Sequence, residues 1–296
     1  MAPNDAPAMT TPHTSNPLRP GLYITATPIG NLRDITYRAV DVMKCADIIL
    51  CEDTRQTAKL CAAYSISTPR RPYHDHNGEK VRPEILERLK AGDTFCLVSD
   101  AGTPLISDPG FKLVQDAAAE GIDIFAVPGP SATIAALSIS GLPTDQFAFL
   151  GFCPAKPAQR EKFLKKAAER SETSIFFETS TRLTATLSML AEQYPDRTTV
   201  VARELTKLHE EIVRGTAGTA LAEFSNSPAK GEIVVLLEGK ADASPTQADL
   251  DLFLQVALET MSVNDAAKAA AKELNVPKKT AYQQALALAS EKPPTT

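Results

Sequence analysis

Two punctuated turns carry the residue types that grip a small ligand. The first, Ser99-Asp100-Ala101-Gly102-Thr103-Pro104-Leu105-Ile106, gathers hydroxyls, a carboxylate and backbone amides around a glycine, directly after the apolar run Thr94 to Val98. The second, Val127-Pro128-Gly129-Pro130-Ser131-Ala132, ends the run Ile122 to Val127. A turn leaving a strand of an open α/β sheet lies at the carboxyl edge, where such sheets bind ligands. Ser131 has no G-x-S-x-G frame and no evident His partner, so a nucleophilic serine is not expected.

Charged clusters surround these turns. The loop Ala26 to Thr36 follows the first apolar run but lacks the G-x-G-x-x-G spacing that brings a helix N-terminus to a pyrophosphate, which disfavours a dinucleotide fold. Within it, Asp34 or Thr36 is positioned to cap the next helix. Glu52-Asp53-Thr54-Arg55 follows the second run; Asp53 or Thr54 caps a helix, and Arg55 either pairs with a carboxylate or holds a phosphate in a two-pronged contact. In Tyr73-His74-Asp75-His76-Asn77 the two histidines have no further Cys or His at ligand spacing, so no metal is expected. That segment is either a substrate-facing loop that hydrogen-bonds and stacks an unstacked nucleotide, or a solvated loop before a helix from Glu79. Phe177-Glu178-Thr179-Ser180-Thr181-Arg182 and Ala202-Arg203-Glu204-Leu205-Thr206-Lys207 put charges at an interdomain cleft, as structural ion pairs or as groups that orient substrate.

The elements that must position these residues follow from hydrophobic patterning. Leu22 to Ala26, Asp47 to Cys51, Thr94 to Val98 and Ile122 to Val127 read as strands, alternating with helices at Tyr37 to Lys44, Thr54 to Tyr64, Glu79 to Ala91 and Phe111 to Glu120. This alternation predicts a parallel sheet of βα units. Asp108-Pro109 reads as the start of the Phe111 helix and Gly121 as its stop. Phe147 to Gly151, Ser174 to Glu178, Thr198 to Glu204, Glu211 to Arg214 and Glu232 to Leu237 predict further strands, with helices at Ala158 to Arg170 and Thr181 to Gln193. The link between the strands around Arg203 and Ile212 is too short for a crossover helix, which predicts a mixed second sheet. Three amphipathic segments, Gln247 to Glu259, Val263 to Leu274 and Lys278 to Ala289, end the chain, the last two patterned as a helix-turn-helix that serves either nucleic-acid contact or dimerisation and capping.

The fold class expected is therefore α/β: a parallel-sheet N-terminal domain over 21–128, a mixed-sheet second domain over 129–240, a linker over 241–246 and a helical domain over 247–292, preceded by a disordered tail over 1–20. The 296 residues suffice for more than one core. With 43% hydrophobic and 23% charged residues and a net charge of -5, the composition is that of a soluble globular protein with no global attraction to nucleic acid. No run reaches the ~18 apolar residues of a membrane helix and no signal-peptide core is present, so a soluble, cytoplasmic protein is expected. The five scattered cysteines read as reduced, buried thiols.

With these motifs in order, the chain resembles the tetrapyrrole methylase superfamily, and within it the branch that methylates small-subunit ribosomal RNA. The resemblance rests on Ala26 to Asp34, Cys51 to Arg55, His74 to Asn77, Val98 to Gly110, Val127 to Ala132, Phe177 to Ser180, Arg203 to Lys207 and Gly231 to Val235, and covers about Leu22 to Gly239 together with the helical tail. Cys51, where alanine is common, and Gly78-Glu79 after Asn77 depart from the pattern. The resemblance implies a homodimer of two-domain α/β subunits that uses S-adenosylmethionine, without a metal, to methylate a ribose 2′-hydroxyl of a decoding-centre cytidine of 16S ribosomal RNA in the 30S subunit. It assigns Ser99, Asp100, Ala101, Gly102, Thr103, Leu105, Ile106, Pro128, Gly129, Pro130, Ser131 and Ala132 to the donor. Thr27, Gly30, Asn31 and Asp34 flank the acceptor. Asn31, Arg55, His74, His76, Arg203 and Lys207 are the RNA-contact candidates, and Glu52, Asp53, Glu178 and Glu204 the candidates for a base or orienting group. A methylase of tetrapyrroles or another small metabolite, and a non-catalytic RNA-binding or assembly protein, are the rival readings.

Overall fold

A computed structural model describes residues 18–107, 109–227, 229–240 and 247–291. Most of the expected tail, the linker 241–246 and the Asp108 cap lie outside these residues. The chain divides at Gly239/Lys240 into two compact units.

The first unit holds two five-stranded sheets. Sheet one is all parallel in the order β3-β2-β4-β1-β5, from β1 (Gly21–Thr25), β2 (Ile48–Cys51), β3 (Arg70–Pro72), β4 (Thr94–Leu97) and β5 (Ile124–Val127). Its helices are α1 (Tyr37–Cys45), α2 (Thr54–Ala63), α3 (Asp75–Lys90) and α4 (Phe111–Ala119). Right-handed crossovers send connections running in opposite directions to opposite faces. Accordingly α1 and α2 pack with Tyr23, Ile49 and Cys96 on one face, while α3 and α4 pack with Leu22, Leu50 and Phe95 on the other. Thr36 caps α1 by accepting the Ala39 amide at 3.1 Å. Two expectations are corrected: α4 begins from Gly110 as its N-cap, and β3 is an additional edge strand.

Sheet two is mixed, in the order β6-β7-β10-β8-β9, from β6 (Phe147–Phe152), β7 (Thr173–Thr179), β8 (Thr198–Arg203), β9 (Glu211–Thr216) and β10 (Glu232–Leu237). β6 and β7 are parallel, whereas β10 runs antiparallel to both β7 and β8. One face carries α6 (Pro157–Ala168), α7 (Leu183–Gln193) and α8 (Ala217–Asn226) over a core around Phe176 and Leu187. The other face takes α5 (Ala132–Ser140), which leaves sheet one through β5 yet packs with Ile175, Ala202 and Leu236 of sheet two. Helices α5 and α8 are additions to the elements expected from sequence.

The sheets also meet where the β1 loop touches the β8–β9 connection. Asn31 N donates to Thr206 Oγ1 at 3.0 Å. A Cβ on Gly30 would stand 2.5 Å from Lys207 Cγ and 2.8 Å from the Leu205 carbonyl oxygen, so this seam closes only around a residue without a side chain.

The second unit is three helices, α9 (Gln247–Ala257), α10 (Val263–Glu273) and α11 (Lys278–Glu291), closed by alanines: Ala266, Ala267 and Ala270 of α10 are buried with Ala281 and Ala285 of α11. Ser262 caps α10, and Asn275 at φ +49° turns the chain into α11. No helix among the described residues is long and apolar enough to cross a membrane.

Gly30→Ala is expected to lower the unfolding free energy by about 1–3 kcal/mol through overpacking of the seam. Gly218→Ala, whose added carbon meets only Thr216 Oγ1 at 3.5 Å, is expected to change it little. Urea unfolding of both variants checks this; equal stability would remove the seam as a constraint.

Candidate functional site

In sheet one the connection after β1 leaves toward β2 and the connection after β4 leaves the other way toward β5, so the carboxyl ends of these adjacent strands form a crevice that neither helix covers. Thr27 and Gly102 cross it with two backbone hydrogen bonds: Thr27 N donates to the Gly102 carbonyl at 2.8 Å and Gly102 N to the Thr27 carbonyl at 3.0 Å. Thr27 Oγ1 donates to the Ser99 carbonyl at 3.2 Å, and Thr103 Oγ1 to the Pro130 carbonyl at 3.1 Å. The two turns singled out in the sequence are thus fastened to β1 and to each other. Just beyond these fastenings, Leu105 and Ser107 both adopt left-handed backbone, φ +74° and +67°. Non-glycine residues keep such angles where surrounding contacts over-determine them, commonly at binding sites.

A cleft of about 370 Å³ opens here, within the range of small-molecule sites. The first turn supplies Asp100, Ala101, Gly102, Thr103 and Ile106, and the second supplies Ser131 and Ala132. Sheet two supplies the facing wall: Phe152, Phe177 to Ser180, Leu205 and Gly231 to Val234. Ile29, Ser107 and Thr133 complete it. Among the donor candidates, Ser99, Leu105, Pro128, Gly129 and Pro130 do not line the cleft. Ser99 is buried and donates within its own turn to the Ala101 carbonyl, and Gly129 packs behind the turn, its would-be Cβ 3.0 Å from that of Ala26.

The charged candidates are already engaged. Asp53 accepts the Arg55 amide as the cap of α2 and grips the Arg55 guanidinium with both oxygens, at 3.1 and 2.8 Å. That hydrogen bonding holds the Asp53 carboxyl down to about 2, which makes it a weak proton acceptor. Its amide donates to Asp100 Oδ1 at 3.1 Å, joining the β2 turn to the cleft. Glu178 is buried, and its carboxylate accepts from Thr179 N at 2.7 Å, Arg182 Nε at 3.0 Å and Thr186 Oγ1 at 2.6 Å. Glu204, at φ +51°, accepts from Lys207 Nζ at 2.7 Å and Glu232 N at 3.2 Å; the lysine contact keeps its carboxyl below the ordinary range. Burial pulls the Lys207 ammonium down, but Glu204 and Glu232 outweigh it and hold it above its ordinary value. Arg203 pairs with Glu211 across the β8–β9 ladder.

The histidine cluster is a helix start rather than a loop. Asn77 Oδ1 accepts the His74 amide at 2.9 Å and Asn77 Nδ2 donates to the Pro72 carbonyl at 2.9 Å, so α3 begins at Asp75 and His76 lies in its first turn. The rings of His74 and His76 are 5.9 Å apart. Two buried side-chain polar atoms among the described residues lack a hydrogen-bond partner: His74 Nδ1 and Asp34 Oδ2. Asn31 caps a single helical turn at Leu32–Asp34 by accepting the Arg33 amide, and Glu52 is exposed. The described residues contain no group of three His, Cys, Asp or Glu able to hold a metal ion. Cys45 is exposed, unlike the other four thiols; burial pushes those of Cys96 and Cys153 up to about 12.

The wall from sheet two was the part least visible in sequence. Phe177 to Ser180 and Gly231 to Val234 belong to quoted motifs, but only the insertion of β10 between β7 and β8 brings them together.

Because its native value is depressed, the Asp53–Arg55 pair contributes fully above the ordinary carboxylate value and is lost as pH falls through about 2. The Asp53 carboxyl carbon is expected to titrate near 2 by NMR, and Arg55→Ala to return it toward about 4. An unmoved midpoint would reject the pairing.

Comparison with known proteins agrees with this geometry. The model of the Tetrapyrrole (Corrin/Porphyrin) Methylases matches residues 21–221, and that of the RsmI C-terminal HTH domain matches residues 244–289. The chain is 43% identical over 279 residues to the ribosomal RNA small subunit methyltransferase I of Mesorhizobium japonicum, covering 93% of this chain and 94% of that protein. It is 45% identical over 276 residues to the protein of that name from Erythrobacter litoralis, covering 93% and 98%. A solved structure of the methyltransferase CobJ shares the fold with a TM-score of 0.56 at 22% identity, covering 75% of this chain and 95% of that one. An α/β cleft at a topological switch point, followed by a helix-turn-helix unit, thus has its counterpart in one family: the chain belongs to the tetrapyrrole methylases, in the branch of the ribosomal RNA small subunit methyltransferases I.

Proposed function

We propose that this protein is an S-adenosylmethionine-dependent ribosomal RNA methyltransferase acting on a ribose 2′-hydroxyl of a decoding-centre cytidine of 16S ribosomal RNA, in the cytoplasm, on the 30S subunit, as a homodimer. The observation that carries the reading is the cleft: two fastened turns offer the Asp100 carboxylate, the Ser131 hydroxyl and backbone groups beside an apolar lining of Ile29, Ile106, Phe152, Phe177 and Leu205. That mixture suits a ligand with a charged amino-acid end, a ribose and a flat apolar base. When bound, the donor supplies a methyl group on a positively charged sulfur, an electrophile that needs no metal.

In this reading the Ser99 to Ile106 and Pro128 to Ala132 turns hold the donor, lining residues by contact and Ser99, Leu105, Pro128, Gly129 and Pro130 by shaping the turns. Holding both reactants in line supplies roughly 7–11 kcal/mol of the barrier. In this reading Thr27, Gly30, Asn31 and Asp34 stand on the acceptor side. Glu52, Asp53, Glu178 and Glu204 act by orienting their neighbours. Arg55 and His76 are exposed, and an exposed ion pair such as Asp53–Arg55 is worth little, so exchanging it for a backbone phosphate is inexpensive. Arg203, Lys207 and His74 shape the same approach. The packing of α5 against the second sheet supports dividing the first unit into two domains at about Pro128.

Transfer of radiolabelled methyl from S-adenosylmethionine to 30S subunits, with the ribose mapped by primer extension, tests the reading. Label on a 16S ribose is the expected result; label on a corrin precursor alone, or on neither, would replace it. Asp100→Ala is expected to weaken donor binding by calorimetry about 10-fold. Arg55→Ala is expected to lower kcat/KM on 30S subunits about 5-fold while sparing donor affinity; loss of both together would remove its RNA role.

A further inference from the structure

Phe152 faces the side of its sheet that strand alternation would deny it. On β6, Leu150 packs into the core beneath α6, α7 and α8, and a regular strand would send residue 152 to the same face. Instead the register slips between Phe149↔Ile175 and Phe152↔Phe177, with one extra residue on β6. Gly151, at φ +75°, takes the left-handed backbone this bulge requires. The slip turns Phe152 onto the face of Phe149 and Phe177. The Phe152 and Phe177 rings meet edge-on at 5.2 Å and 65°, and Phe177 meets Phe149 at 4.9 Å. Phe152 remains 55% exposed, and both it and Phe177 line the cleft. The bulge takes a phenylalanine from a dry core and leaves its ring half in water within a ligand site.

We propose that Phe152, braced by Phe177, is a stacking platform for a nucleobase in the cleft. The inference rests on the RNA-methylation reading above, which brings two flat heteroaromatic rings to this site: the adenine of the donor and the base of the acceptor nucleotide. Either presents a face that an aromatic ring covers without needing hydrogen bonds.

The test compares Phe152→Ala, Phe152→Leu and Phe152→Tyr with the wild type in S-adenosylmethionine calorimetry, 30S filter binding, thermal melting and sedimentation. The Ala and Leu variants are expected to lose about 5- to 100-fold in one affinity, with Tyr retaining it. A loss confined to the donor assigns the stack to adenine, and one confined to 30S assigns it to the acceptor base. The platform is overturned if Leu binds both as the wild type does, if both affinities fall together with the melting temperature, or if only the sedimenting mass changes, which would make the ring a subunit contact. Methyl transfer by the wild type separately judges the underlying reading, and the binding comparison decides the stack whichever way that falls.

Discussion

The paired hydrogen bonds between Thr27 and Gly102 are the constraint on which the site depends. At a topological switch point two loops diverge from neighbouring strands, and the divergence that creates a crevice also removes the helix that would otherwise support each loop. Here the support is backbone to backbone. It extends through Thr27 to the Ser99 carbonyl and through Thr103 to the Pro130 carbonyl, so three strand ends share one hydrogen-bonded floor. Directly after the pinned Thr103, Leu105 and Ser107 hold left-handed angles, the kind of backbone that clusters at ligand sites.

Electrostatically the surroundings of the cleft are a set of closed pairs. Asp53 holds Arg55, Glu178 holds Arg182, Glu204 holds Lys207 and Glu211 holds Arg203. The pairing ties each charge to its turn, and in Asp53 and Glu204 it holds the carboxyl below its ordinary range. Charge therefore does its work here largely as architecture, leaving recognition to the apolar lining, to backbone groups and to the few polar atoms not yet spent.

Much of sheet one was legible because central parallel strands are buried on both faces and appear as short continuous apolar runs; β1, β2 and β4 are of this kind, and β5, though an edge strand only partly buried, keeps the apolar run Ile124 to Val127. β3 was not, since an edge position lets Arg70, Arg71 and Pro72 form a strand with no apolar signature. α5 escaped because Ile134 and Ile139 are apolar on its outer side, which erases the stripe that marks a helix. The expected start of α3 at Glu79 is late: Gly78 just before it argues against a helix there, and the observed start at Asp75 is secured by Asn77 reaching back, which spacing alone does not reveal. Of the site, the two turns were visible as motifs. The opposite wall depended on β10 pairing with strands distant in sequence, a non-local event that no window of residues contains.

The seam at Gly30 has a mechanical meaning. Sheet one and sheet two are joined covalently where β5 runs into α5, and again by contact where Gly30 meets Leu205 and Thr206. Ile29, one residue before Gly30, is buried in the same core as Ala202, Leu205 and Leu236, so the seam binds the β1 loop, which pins the first turn, to the body that supplies the opposite wall. The missing side chain of one glycine thereby sets how closely the two walls of the site approach.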